Sequence, residues 1–204
     1  MARQADALGA GMTGKAATQE RILAAATELF VSGGYERTTV SDIAERAGVS
    51  RATVFWHFSE KASLFRESFS RLLAPFRESL EQDFVDVAPR KRLEEQLAMS
   101  EQFAREHRED IAAFVRWAVE SPDLREGVIT TLFDLNQRFV GALTQSVDAI
   151  APPGRDPKLL ATALMLAFDA NLLLSIFDGR PRAGEERSAA IQALAGLIAD
   201  ANRG

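Results

Sequence analysis

The chain has 204 residues, enough for one large domain or for a small head joined to a larger body, since domains run to roughly 100–200 residues. Hydrophobic residues at 47% and charged residues at 26% exclude a disordered chain, and the absence of cysteine excludes disulfides, thiolate metal sites and a cysteine nucleophile, which suits a reducing cytosol. The net charge of −5 counts against nucleic acid only if it is evenly spread: residues 15–66 carry seven basic and six acidic side chains, a balance of +1, and residues from 67 onward sixteen against twenty-two, a balance of −6, so the acidity belongs to the body.

Residues 1–17, rich in Gly and Ala, read as a flexible arm without the apolar core of a signal peptide, and no stretch supplies the ~18 apolar residues of a membrane span, so a cytoplasmic protein without membrane association is expected. Residues 9–16, GAGMTGKA, approximate the phosphate-loop pattern, but Ala16 lacks the metal-binding hydroxyl and no strand precedes it. Every later segment has helical periodicity and none alternates as a strand does, which predicts an all-α protein. The first helix is expected from Thr18 as N-cap, with Ile22, Ala25, Ala26, Leu29 and Phe30 on one face, up to Gly33-Gly34. A second runs from Thr39 to Gly48, burying Val40, Ile43, Ala44 and Ala47. A third spans 50–58; with Val54 and Phe58 inward it turns Arg51, Ala52, Thr53, Phe55 and Trp56 outward. Longer helices follow at 60–84, 89–108, 110–120, 122–150, 157–177 and 185–202, jointed largely by Pro and Gly, including Pro152-Pro153-Gly154 and Gly179-Arg180-Pro181.

Residues 38–58, TTVSDIAERAGVSRATVFWHF, followed by Lys61 and Leu64 and preceded by Ala26, Phe30, Gly34 and Tyr35, resemble the head of the TetR family of transcriptional regulators. The resemblance covers residues 18–65 and implies a helix-turn-helix DNA-binding domain there, an arm at 1–17, and a helical effector-binding and dimerisation domain at 66–204. In such a head the second helix of the pair lies in the major groove. Ser50, Arg51 and Thr53 offer polar groups at its start: Arg51 is suited to guanine O6 and N7, Thr53 to a phosphate or a thymine methyl, and Ala52 allows close approach. The resemblance further implies phosphate contacts at Thr39, with the amides of the helix it opens, and at His57 and Lys61. A dimer making roughly seven phosphate contacts gives a slope of log K against log salt near −6. The sequence departs from the family at Phe55, where a tyrosine is usual. Trp56 either replaces that phenol as a donor through its indole N–H or packs on the helix that follows.

In the body, residues 157–177 are apolar nearly all round and the last helix carries a stripe of Ile191, Leu194, Leu197 and Ile198. These suggest a four-helix interface between two copies through Leu166, Asp169, Leu173, Ile191, Leu194 and Ile198. Phe103, Phe114, Trp117, Phe133, Phe139 and Phe168 line either an apolar effector cavity or a solid core. Asn136 and Asp169 interrupt apolar stripes and so need partners, a ligand or, for Asp169, the second subunit. With only His57 and His107 no metal site is expected, and no cofactor; adjacent carboxylates point apart and no nucleophile has a base, so no catalytic residue is assigned. The expected function is that of a repressor released from an approximately palindromic operator on double-stranded DNA by a small apolar or aromatic effector. A ligand-dependent activator, a co-repressor-dependent regulator and a ligand-binding dimer with an impaired head are the alternatives.

Overall fold

The computed structural model describes residues 2–81, 86–177 and 181–200, with side chains at 14–81, 86–176 and 184–200. Among the described residues all regular structure is α-helical. It falls into two compact units, Met1–Leu73 with Ala113–Ile129, and Ala74–Ala112 with Thr130–Gly204. The contiguous division expected at residue 65 is therefore not the division of these units: a segment from the middle of the chain is built into the first.

That unit holds α1 (Ala2–Gly33), α2 (Val40–Ala47), α3 (Arg51–His57), α4 (Lys61–Leu72), the end of α7 (Arg108–Glu120) and the start of α8 (Pro122–Asp148). Helix α1 buries Ile22, Ala26 and Phe30 at four-residue spacing, one face of a 3.6-residue helix. It opens upstream of the expected cap: Thr18 Oγ1 donates to Gly14 O at 2.9 Å, a bond of the helix interior, and Ala16 and Ala17 propagate the helix rather than an arm. The side chains of 2–13, most of that expected arm, lie outside the described residues. Gly48 closes α2 at φ 65°, its N–H donating to Ala44 O and Glu45 O, which delivers the sharp turn into α3.

The first unit's core is aromatic. Phe30 meets Phe65 at 5.4 Å, Phe65 meets Phe114 at 4.8 Å, and Phe69 meets Phe114 at 5.2 Å between ring centroids. Burying each ring contributes about 1.5–3 kcal/mol. Gly34 has φ +85°, and a Cβ there would run into the Trp117 indole, so a side chain is excluded both by backbone and by space.

The second unit holds α5 (Ala74–Leu80), α6 (Pro89–Glu106), the rest of α7 and α8, α9 (Pro157–Phe177) and α10 (Pro181–Asp200). The single helix expected at 60–84 is two, because Pro75 has no N–H for the Arg71 carbonyl and its ring crowds that group; the chain turns at Leu73. Leu93, Leu97, Phe139, Leu143, Val147 and Leu164 centre the core. Two buried polar side chains inside it satisfy each other: Ser146 Oγ donates to Gln96 Oε1 at 2.7 Å and accepts from Arg92 Nε at 2.8 Å, while Gln96 Nε2 donates to Ala142 O at 3.3 Å, tying α6 to α8. The break expected at Gly179-Arg180 lies outside the described residues. Against the expectation that no stretch is apolar enough to span a membrane, Pro157–Ile176 is, by length and composition, with a mean hydropathy of 1.9.

Candidate nucleic-acid interface and effector site

Helix α3 is set by its cap. Ser50 Oγ accepts from the Thr53 N–H at 3.0 Å and shares a hydrogen bond with Thr53 Oγ1 at 2.8 Å, so both hydroxyls hold the helix start and are only partly available to a ligand. Val54 and Phe58 are buried, and their anchoring turns Arg51, Ala52, Phe55 and Trp56 outward as expected; Thr53 is half-buried. The Arg51 guanidinium lies 5.5 Å from the Phe55 ring centroid. Trp56 is 65% exposed, which removes the alternative that it packs on the following helix.

At the start of α2 the Thr39 N–H donates to Asp42 Oδ2 at 2.8 Å, the Thr39 hydroxyl donates to the same oxygen at 2.8 Å, and the Asp42 N–H donates to Thr39 Oγ1 at 3.2 Å. These bonds hold the Asp42 carboxyl below its ordinary pKa. They also commit the Thr39 hydroxyl proton, which leaves the Val40 and Ser41 amides as the donors of this helix end. Lys61 Nζ sits 4.1 Å from the Tyr35 ring centroid and 3.5 Å from Glu36 O; partial burial lowers its pKa. His57 is half-buried, and burial together with the Lys15 charge lowers its pKa. Lys15 itself, 4.5 Å from the Trp56 ring centroid, belongs to this surface, although its only sign in the sequence is a positive charge in a Gly- and Ala-rich stretch.

The candidate effector residues separate. Phe103 and Phe168 meet in the second unit through Phe76, which lies outside the expected set: Phe76 stacks on Phe103 at 5.1 Å and on Phe168 at 6.4 Å, and Phe139 meets Phe168 at 5.4 Å. Phe114 and Trp117 do not join them, because Phe114 fills the first unit's core and Trp117 covers Gly34. Phe133 is 61% exposed and lies outside the buried core. Asn136 and Asp169 partner each other, Asn136 Nδ2 donating to Asp169 Oδ2 at 2.9 Å, which removes the need for either to find a ligand or a second subunit. Burial raises the Asp169 pKa, and the Asn136 bond opposes that. A further polar group escaped the periodicity: Glu101, on α6, has a buried Oε1 without a hydrogen-bond partner, and burial raises its pKa against bonds from Gln192 and Ser188 and the Arg105 charge.

The expected interface residues also divide. Ile191 at 3% and Ile198 at 6% exposure, with Leu194 beside them, pack into their own core, because the Ala-rich α10 is apolar on two faces and this one turns inward. Leu166, 58% exposed, and Leu173 face out, as do Leu159 on α9 and Leu197 on α10.

Residues 22–68 match the model of the bacterial regulatory proteins of the tetR family. The transcriptional repressor BepR of Brucella suis is 33% identical over 152 residues, 74% of this chain and 65% of that protein. The chain spans between 22% and 65% of the length of such curated relatives. Among solved structures, a transcriptional regulator from Rhodococcus sp. Rha1 superposes with a TM-score of 0.64 at 27% identity, covering 88% of this chain and 95% of that one. The SmeT–triclosan complex superposes with a TM-score of 0.68 at 25% identity, covering 88% and 90%. Residues 22–68 thus form the helix-turn-helix head of the TetR family of transcriptional regulators, followed by a helical remainder, and the curated relatives the chain matches are regulators.

Proposed function

We propose that this chain is a cytoplasmic, dimeric repressor that reads an approximately palindromic operator through α3 and leaves it when a small apolar or aromatic effector binds the second unit. The observation that carries the reading is the outward N-terminal face of α3, where Arg51 and Ala52 project from a capped, core-anchored helix start. An arginine there is suited to guanine, each good bidentate pair being worth about 1–3 kcal/mol of discrimination. Phosphate contacts come from the α2 amides, His57 and Lys61.

The outward leucines of α9 favour a second copy as their cover. Leu159, Leu166 and Leu173 recur every seven residues, two turns of helix, on one exposed face, as in a helix packed against a partner helix. The same face explains the membrane-like hydropathy of α9 without a membrane, since Asp169 and Asn171 sit within that stretch. For the effector, the Phe76–Phe103–Phe139–Phe168 cluster offers an apolar seat, and SmeT, a protein of similar fold, is solved in complex with triclosan. To shift an operator-binding state from about 99:1 to 1:99, an effector needs roughly 5.5 kcal/mol of preference for the released state.

Selection of duplexes from a random library by the purified protein, followed by affinity at several salt concentrations, tests this. The expected result is a palindrome with a steep salt dependence, lost on adding an aromatic effector. Enrichment only in the presence of a small molecule would indicate a co-repressor-dependent regulator, and no enrichment even at low salt would sink the DNA-binding role.

A further inference from the structure

At the C-terminal end of α3 the helix offers little to a phosphate by itself. Phe55 and Trp56 carry no hydroxyl, and His57 is half-buried. Yet a positive charge has been brought there from elsewhere in the chain. The Lys15 ammonium, exposed on α1, lies 4.5 Å from the centroid of the Trp56 ring, and the His57 ring meets the same indole edge-on, the centroids 4.8 Å apart at an interplanar angle of 89°. An exposed ammonium ordinarily seeks a carboxylate, but none pairs with Lys15 among the described residues. The next acidic side chain along α1, Glu20, is taken by Arg71. The ammonium rests instead on a ring face, an attraction worth about 0.5–1 kcal/mol at an exposed site, and close enough to His57 to disfavour its protonation. A cation on an aromatic, beside a second nitrogen donor and without a counter-ion, is an anion site awaiting its anion.

We propose that Lys15, Trp56 and His57 form a clamp for one backbone phosphate of the operator in each half-site, with the Lys15 ammonium, seated on the indole, supplying its charge. This rests on the reading that α3 binds DNA and extends the contact surface onto α1. Trp56 then positions the lysine, with its indole N–H and the His57 ring N–H as further donors.

The test compares the full-length protein with Lys15→Gln and Lys15→Arg on the selected duplex, across a series of salt concentrations, with Arg155→Gln, a loop charge of the second unit, as control. Neutralising one phosphate contact per subunit lowers the magnitude of the log K against log salt slope by about 1.8 for a dimer. Lys15→Gln should show that reduction and weaken all operator variants uniformly, Lys15→Arg should restore it, and Arg155→Gln should leave it unchanged. A Lys15→Gln slope parallel to the wild type, with salt-dependent binding intact, overturns the clamp and leaves the DNA-binding reading standing. So does a loss matched by Arg155→Gln, which would trace it to net charge. A wild-type protein that binds no duplex at low salt removes both.

Discussion

Arg51 and Gly34 show how differently single positions act in this chain. Arg51 projects from a helix start that Val54 and Phe58 hold in place, so Arg51→Ala should leave the fold intact and relax specificity at one position of each half-site by about 1–3 kcal/mol, read by binding to a set of single-base operator variants. Gly34 holds a positive φ directly beneath the Trp117 ring, so Gly34→Ala should cost about 2–4 kcal/mol of stability, part from the left-handed backbone and part from overpacking. Pairing it with Trp117→Leu should recover the packing part in urea unfolding and leave the backbone part. Asp169 gives a test in pH. Burial raises its folded pKa, so its ionised form is disfavoured in the native state, a cost felt in full above the folded pKa and gone below the unfolded value of about 3.9. Asp169→Asn keeps an acceptor for Asn136 and should raise the unfolding midpoint at pH 7, with the gain fading toward pH 4. At this scale the inward pair of α3 was legible, because it follows from spacing within one turn. The Trp117–Gly34 and Asn136–Asp169 contacts were not, since local periodicity carries no information about which distant helix supplies the partner.

Helices α9 and α10 differ in what their faces do. A charge on the outward stripe should separate the subunits without unfolding them: Leu166→Glu is expected to give a folded monomer by sedimentation. Ile191→Ala, inside the core cluster, should instead leave the dimer assembled and cost about 2–5 kcal/mol of stability as a cavity. The sequence placed an interface on both helices but took the inner stripe of α10 for the outer one, because a helix so rich in alanine has no polar face to orient it. The break between α4 and α5 was legible in principle, since Pro75 marks it; the apolar run on either side made one long helix the simpler reading.

For the whole molecule, the division at residue 65 suggested by the motif is too simple. Phe65 and Phe69 bury their rings against Phe114, so the head's hydrophobic core is completed by residues 113–129. A chain ending at Leu73 should therefore melt non-cooperatively, with bound dye reporting exposed aromatic surface, whereas the full chain should unfold with a defined transition. The all-α class was legible from periodicity throughout the chain. The return of the middle segment was not, because helix lengths and breaks say nothing about which unit a helix joins.

That return constrains how such regulators can be recombined. A chimera that joins one protein's first seventy residues to another's remainder brings together a foreign Gly34 and a foreign Trp117, and a foreign Phe65 and Phe114. Exchange of DNA specificity between relatives then succeeds most readily through the surface residues of α3 alone, or through a two-part transplant that carries residues 113–129 along with the head.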